Sequence, residues 1–195
     1  MAFDITEWSR IAEGDFAEMQ FDSGMIIKNF DPTSITAPAD EDILFTTSGN
    51  ITASLVPNIV DLGEDVNNLH GQFAELQYIS RYTATLGFTA LNMSSAGVKL
   101  ALGAATVGTG GKITANMKLE LTDFTNLAWV GMRIGGGLVA VVLKSALSTG
   151  GFNLTTSKEG KGNLAVTMTG FMRMTSQDEP PMEFYIIEPT TTPGG

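Results

Sequence analysis

The side chains that could do chemistry in this sequence are few and scattered. His70 is the single histidine and the chain contains no cysteine, so a nucleophile–base pair would have to centre on His70. No nucleophile-elbow sequence accompanies that histidine. A chain without cysteine also has no disulfide, no thiolate chemistry and few ways to build a structural zinc site. The sequence therefore predicts a protein that is not an enzyme and has no catalytic residue.

Two stretches have the composition of a binding site without its spacing. Gly108–Lys112 is similar to part of a phosphate-binding loop, but that pattern requires glycine where Thr106 stands and Ser or Thr where Ile113 stands. The connection 61–68 offers oxygen atoms that Ca²⁺ could use, at a spacing that does not match an EF-hand. Its oxygen-bearing residues are Asp61, Glu64, Asp65, Asn67 and Asn68. We expect a solvated loop there, and no cofactor-binding or metal-binding residue in the chain.

The balance of charge restricts the partners. Acidic residues outnumber basic ones 21 to 11, which gives a net charge of −10. A protein that clamps phosphates needs Lys and Arg to displace counterions, so this balance argues against a tight nucleic-acid binder. It is compatible with a surface along which nucleic acid slides without sticking. No apolar run reaches the ~20 residues that a membrane-spanning helix requires, and Asp4, Glu7 and Arg10 interrupt the N-terminal apolar residues, unlike a signal peptide.

The elements that position these residues are predicted to be mainly strands. Hydrophobic residues at 43%, charged residues at 16% and 22 glycines are typical of a turn-rich β protein with one core. Apolar runs and period-two alternation, separated by glycine turns, predict strands. The predicted strands cover 25–30, 43–47, 51–61, 77–91, 112–115, 129–134, 138–147, 152–156, 164–173 and 182–187. Ser48-Gly49-Asn50 is predicted to be a turn between the second and third of them.

One flanking α-helix is predicted over 92–105. Ser94 or Ser95 would cap it, and Leu100 and Ala101 lie on its apolar face at helical spacing. A second helical pattern occupies the N-terminal segment.

In that N-terminal segment, residues 1–21, Ile5, Trp8 and Ile11 recur at helical spacing, and Asp4 can cap the first turn. A tryptophan and two isoleucines on a detached arm would be unfavourable in water. We therefore expect the segment to pack either on its own domain or on a neighbouring subunit.

The connection 62–76 is longer than connections inside a compact domain usually are, and long ordered connections are generally functional or interfacial. A free loop would expose its large apolar side chains at a cost of roughly 1–3 kcal/mol each. They are Leu62, Val66, Leu69, Phe73 and Leu76. Together with Trp8 and Ile11, we expect them to form the interface between subunits, where apolar burial must outweigh the repulsion between copies that carry −10 each.

Three segments resemble the major tail tube protein of long-tailed (siphovirus-type) bacteriophages. They are DSGMIIKNFDP from Asp22, DEDILFTTSGNITASLVPNIVDLGEDVNN from Asp40 and ALSTGGFNLTTSKEGKGNLAVTMTGF from Ala146. The likeness runs from about Asp22 to Ile187 and depends on the pattern of strands and turns, with phrases such as ALSTGGF and LGEDV. The chain departs from the family in the loop that continues as NNLHGQ, without the Cys-Pro of many such sequences, and in its additional N-terminal arm.

The resemblance implies a β-sandwich or partly closed barrel with one flanking α-helix and a long inter-subunit loop, the phage tail tube fold. Its parts would be an N-terminal arm (1–21), a tail-tube β domain (22–188) and a flexible C-terminal tail (189–195). The domain would form homohexameric rings that stack into a hollow tube and conduct the genome into the host. Tubes of contractile tails and of type VI secretion share this fold, so the resemblance separates these classes poorly.

The partners implied by the resemblance are further copies of the chain, other tail proteins, and the tape measure protein and genomic DNA in the lumen. The protein would be made in the cytoplasm of a bacterial host and reside in the virion tail. The alternative interpretation is a ligand- or carbohydrate-binding β-sandwich module of a virion. That alternative would need paired aromatic side chains on an exposed face, and Trp8 and Trp129 lie far apart in the sequence.

Overall fold

The computed structural model describes residues 24–156, 158 and 162–188, so the N-terminal arm with Trp8 and Ile11 and the tail 189–195 lie outside the described residues. The described part is mainly β, as predicted. Its strands are β1 (Met25–Lys28), β2 (Ile43–Asp61), β3 (Gln77–Ala90), β4 (Ala105–Val107), β5 (Ile113–Ala115), β6 (Thr125–Met132), β7 (Leu138–Ser148), β8 (Asn153–Thr155), β9 (Asn163–Gly170) and β10 (Met182–Ile187). Its α-helix is α1 (Ser95–Leu102), and short 3₁₀ turns cover Asp40–Asp42, Ala74–Leu76, Thr109–Gly111 and Leu121–Asp123.

Eight of the strands form one antiparallel sheet in the order β10-β7-β6-β1-β2-β3-β9-β8. Strand β7 also pairs with β9 on the opposite flank, where Ala146 faces Gly170 and Ser148 faces Met168. Because β9 lies near the far end of the strand order from β7, this additional pairing curls the sheet into a partly closed ring around its apolar face. β4 and β5 form a separate two-stranded ribbon.

A bulge in β7 makes this curl possible. Between Leu143 and Ala146 the strand advances three residues while β6 advances two, from Leu127 to Thr125. Ser145 is buried there with a φ of 43°, a conformation that few residues other than glycine adopt. The bulge leaves the backbone N–H of Ser145 without a partner in the neighbouring strand. This N–H donates instead to Asn126 Oδ1 at 2.8 Å. The first half of β7 thus pairs with β6 and β10, and the end of the strand pairs with β9.

The core lies on the concave face of the ring. Along β9, Leu164, Val166 and Met168 are buried and alternate with exposed residues, the period expected of a strand with one covered face. Phe45 and Phe88 meet at the centre, with their ring centroids 5.3 Å apart. The largest fully buried side chains are Phe45, Ile26, Leu86, Leu127, Leu143, Leu164, Met168, Val166 and Pro181.

Helix α1 packs against this core at close range. Ser94 is the N-cap, since its hydroxyl accepts from the backbone N–H of Gly97 at 3.0 Å. A Cβ atom at Gly97 would lie 2.6 Å from the Phe45 ring, so only glycine lets the helix approach that far. The predicted helix and one of its two predicted caps are confirmed. The helix is shorter than 92–105 because Gly103 ends it and Ala105 already begins β4.

Several predicted boundaries are wrong. The strand predicted over 129–134 is β6, which begins at Thr125 and ends at Met132, and the strand predicted over 25–30 ends at Lys28. Strand β4 was not predicted.

Two further differences have a clear local cause. Ser48–Asn50 is not a turn: β2 runs unbroken through it, and the pairing with β3 shifts by two residues between Ser48 and Thr52. Gly49 there has a φ of 71°, so the turn-like sequence forms a bulge inside a long strand. β9 ends at Gly170 and does not extend to 173, because the next residue turns toward β7 and donates its N–H to the carbonyl of Ser145.

Candidate assembly surface

Strands β2 and β3 extend beyond the rest of the sheet. β1 pairs with β2 only near its start, at 43–46, and β9 pairs with β3 only over Ala84–Ala90. From Val56 to Asp61 and from Gln77 to Thr83 the two strands pair only with each other among the described residues. We call residues 56–83 the hairpin arm: this two-stranded ribbon and the tip, 62–76, that joins its strands. An isolated two-stranded ribbon is marginally stable in water, so the arm needs further contacts to be firmly held.

The ribbon of the hairpin arm is apolar on both faces. Ile59 faces Ile79 across the strands, with 57% and 43% of each residue exposed. Val60 faces Tyr78 on the opposite side of the ribbon, with 40% and 57% exposed. Val56 adds a further exposed side chain. Packing against one surface would cover only half of these groups, so the ribbon is suited to lie between two surfaces.

The tip of the arm is an ordered loop with its own small cluster. Leu69 and Leu76 are half-buried, and both approach Gly63, where an added Cβ would lie 2.9 Å and 2.8 Å from their Cδ1 atoms. The Leu62 N–H donates to the Leu76 carbonyl at 2.9 Å and closes the loop. Asp61 Oδ1 accepts from the Gly63 N–H at 2.8 Å.

The other predicted contact residues of the tip point to solvent. Leu62, Val66 and Phe73 are 63%, 51% and 44% exposed. The structure thus divides the five loop residues into an internal pair, Leu69 and Leu76, and three outward side chains. Sequence reasoning missed the apolar residues of the ribbon, because a run such as LVPNIV from Leu55 has the same composition whether a strand is buried in its own domain or exposed.

The charges of the arm do not favour association. The arm carries four acids, Asp61, Glu64, Asp65 and Glu75, against one base, Arg81. Two arms that approach each other therefore repel, and burial of the apolar side chains of the arm would oppose that repulsion.

The described residues do not assemble the catalytic, metal or phosphate sites that the sequence suggested as candidates. His70 is exposed on the tip, and no group of three or more His, Asp or Glu side chains in the described part is placed to hold a metal ion. The Gly108 N–H donates to the Lys112 carbonyl at 2.8 Å, so this glycine-rich stretch closes the β4–β5 ribbon. A phosphate-binding loop instead opens into a helix whose N–H groups face the ligand.

A polar network on β7 and β10 has a structural role. Lys144 Nζ lies 2.5 Å from Glu183 Oε1 and 3.0 Å from Glu179 Oε2, and the Tyr185 hydroxyl donates to Glu183. The bonds from Lys144 and then from Tyr185 lower the pKa of Glu183, while the bonds to Glu183 and Glu179 raise the pKa of Lys144. The network joins the edge strand β10 to its neighbour.

A cleft of about 330 Å³ lies beside the β7 bulge. Phe171 and Arg173 line this cleft. Phe171 meets Phe124 edge to face, with centroids 5.4 Å apart, and the Arg173 guanidinium lies over the Phe124 ring. Arg173 therefore covers one face of Phe124, so that face is not free to stack on a sugar. Trp129 is buried in the core, so it cannot be half of an exposed aromatic pair.

Two comparisons gave a negative result, one for membrane-spanning helices and one for similar sequences. None of the helices in the described ranges is long and apolar enough to span a bilayer. No protein-family model matches the chain, and no curated protein is similar to it.

Solved structures with a similar outline do exist. A chain of the extracellular contractile injection system PVC sheath–tube complex in the extended state is 9% identical, with a TM-score of 0.46, and the match covers 91% of this chain and 100% of that one. A chain of the virion of a native gene transfer agent particle is 10% identical, with a TM-score of 0.40 and coverages of 84% and 95%. A chain of the tail of an empty gene transfer agent particle is 8% identical, with a TM-score of 0.35 and coverages of 90% and 99%. At these scores the function has to be inferred from the surface and sequence of the chain itself.

Proposed function

We propose that the protein is a structural virion protein whose copies assemble into stacked hexameric rings and form the tail tube of a bacteriophage. The observation that carries the proposal is the hairpin arm, which projects from the sheet with apolar side chains on both faces and at its tip. The sequence resemblance described above supports the same function, and we take the long-tailed, siphovirus-type tail as the working form of the proposal because the quoted segments resemble that family.

The arm exposes enough apolar surface to drive self-association. Eight large side chains are involved, at ~1–3 kcal/mol for full burial of each, so their gross contribution is on the order of 10 kcal/mol. Association itself costs roughly 4–15 kcal/mol in lost freedom, so the apolar side chains of the arm supply a favourable term of the same size as this cost. These side chains are Val56, Ile59, Val60, Leu62, Val66, Phe73, Tyr78 and Ile79.

The shape of the arm favours rings over simple dimers. A projecting ribbon that must be covered on two faces fits into a surface elsewhere on a neighbour, which is a heterologous contact. Heterologous contacts close into rings when the rotation between subunits permits, and a second set of contacts stacks the rings. Six subunits per ring is what the resemblance implies.

The acidic composition fits a conduit. A basic wall would hold phosphates and slow a moving genome, whereas a chain with a net charge of −10 can line a channel that DNA passes through. In this proposal the tape measure protein and genomic DNA occupy the lumen, other tail proteins cap the tube, and the subunits are made in the cytoplasm of the bacterial host. No step calls for a cofactor or for catalysis.

Negative-stain microscopy of the purified protein tests the proposal directly. We expect rings or tubes with six-fold averages as the protein concentration is raised, and we expect added salt to promote them by screening repulsion. Protein that stays monomeric by sedimentation at high concentration and high salt would contradict the proposal.

A triple variant tests the role of the tip. Leu62→Ser, Val66→Ser and Phe73→Ser together remove three outward apolar side chains and leave the Leu69–Leu76 cluster in place. At roughly 1 kcal/mol or more for each partly exposed side chain, we expect the concentration needed for assembly to rise about 100-fold. Circular dichroism should show an unchanged fold.

The matched control replaces two exposed methionines outside the arm, Met117→Ser and Met174→Ser, which should leave assembly unchanged. An unfolded triple variant would mean that these side chains serve the domain's own core. Normal tubes from the triple variant would mean that the subunits meet elsewhere.

A further inference from the structure

The outer face of the sheet, opposite the core, is also apolar at β1, β6 and β7. A groove of about 650 Å³ runs between this face and the loop 29–39. The strands contribute Met25, Ile27, Val130, Met132 and Leu138 to its floor, and the loop contributes Ile35. Met132 and Ile35 are 57% and 44% exposed, so the groove is open along one side. A volume of this size falls in the range of sites that bury a bulky apolar group.

The described part of the chain begins beside this groove. Gly24 is the first described residue and is directly followed by Met25, which lies on the groove floor. The 23 preceding residues are therefore joined covalently to the described domain at this point. Their sequence contains the apolar stripe of Ile5, Trp8 and Ile11 at helical spacing.

We propose that residues 1–21 dock into the groove of their own chain, with Ile5, Trp8 and Ile11 against the floor. This proposal takes the first of the two expectations for the segment, packing on its own domain, in place of a position of Trp8 and Ile11 between subunits. The length of the tether permits it. Residues 4–12 would be ~14 Å long as a helix, and the residues from Ala12 to Gly24 can span up to ~40 Å, enough for the segment to reverse and lie along the groove.

The short tether also selects the chain's own segment over that of a second copy. A segment on a short linker is present at an effective concentration on the order of millimolar. Free subunits at micromolar concentration compete poorly with it. The inference does not depend on the tube, because the groove is on the outer face of β1, β6 and β7 and the hairpin arm is a separate part of the molecule.

Disulfide trapping tests the docking, because the chain has no native cysteine. The test pair is Ala12→Cys with Ala37→Cys, which joins the apolar stripe to the loop over the groove. The control pair is Ala12→Cys with Ala165→Cys, an exposed position on β9 three strands away from β1. Under mild oxidation we expect the test pair to form an intrachain bond at least tenfold faster than the control pair, seen as a faster-migrating monomer on a non-reducing gel.

A groove variant sharpens the test. Ile35→Asp added to the test pair should slow the intrachain bond about tenfold, while the thermal midpoint of the domain changes little because Ile35 is exposed. Crosslinked dimers as the main product of the test pair would place the segment on a neighbouring subunit and overturn the proposal. Equal rates for the test and control pairs would overturn it as well.

Discussion

Both halves of strand β3 carry large apolar side chains, but in opposite surroundings. In the half next to the core, Leu86 and Phe88 are 0% and 4% exposed. In the half that belongs to the hairpin arm, Tyr78 and Ile79 are 57% and 43% exposed. Both halves pair with β2, but only the C-terminal half, 84–90, has β9 on its other edge and the core beneath it. Apolar composition therefore marks a surface to be buried, and the topology decides whether the chain or a partner buries it.

Two alanine substitutions, one in each half of β3, should show the largest difference in the free energy of unfolding. Leu86→Ala removes a fully buried side chain, and we expect it to lower the free energy of unfolding by about 2–5 kcal/mol. Ile79→Ala removes a half-exposed side chain from the same strand, and we expect a change below about 1 kcal/mol in dilute, unassembled protein. Chemical denaturation monitored by circular dichroism measures both.

The order of the two effects should reverse for assembly. Ile79→Ala should raise the concentration needed for tubes in sedimentation experiments, although its fold is intact. Equal losses of unfolding free energy in the two variants would show that the arm is packed within its own subunit.

Added salt should have a smaller effect, and it should act on assembly through the hairpin arm more than on the stability of the single subunit. Repulsion between copies that carry −10 each opposes assembly, and salt screens charges at distances beyond about 8–10 Å. We expect the concentration needed for assembly to fall several-fold from low to high salt, while the thermal midpoint of the dilute subunit shifts little. Assembly that weakens with added salt would indicate that ion pairs, not apolar side chains, hold the subunits together.

The smallest expected effect concerns the Lys144–Glu183 network on the domain side of the comparison. Because the folded state lowers the pKa of Glu183, its contribution is present at neutral pH and is lost as pH falls through that lowered value, below the ordinary 4.5. Glu183→Gln should cost up to about 1 kcal/mol at pH 7, since the pair is partly exposed.

This deficit should shrink toward zero in acid, because the wild-type carboxylate then also becomes neutral. Denaturation curves at several pH values measure it, with Glu64→Gln on the exposed tip as the control. A deficit that stays constant into acid would mean that the substitution acts through packing.

Much of the fold could be predicted from the sequence because its signals are local. Alternation along β9, the continuous apolar run of β7 and the cap at Ser94 depend on neighbouring residues, and each is found where its pattern lies. The bulges were not predictable in this way. Gly49 stands in a sequence that is typical of a turn. The positive φ of Ser145 depends on the pairing of β7 with β9, which is distant in the sequence.

The candidate surface was predictable only in part. The length and apolar content of 62–76 mark it as unusual, but its division into the Leu69–Leu76 cluster and outward side chains depends on the closure of the loop over Gly63. The ribbon residues Ile59 and Ile79 carry no sequence signal that separates them from core, because their exposure follows from where β1 and β9 stop.

Hydrogen exchange of backbone amides, compared between dilute and assembled protein, tests the central claim most directly. We expect the amides of 84–90 to be protected in both states, because β9 and the core hold that half of β3 in the single chain. We expect those of 56–61 and 77–83 to exchange quickly in dilute protein and to become protected on assembly. Protection of the hairpin arm that is already complete in the dilute subunit, and unchanged by assembly, would contradict the account.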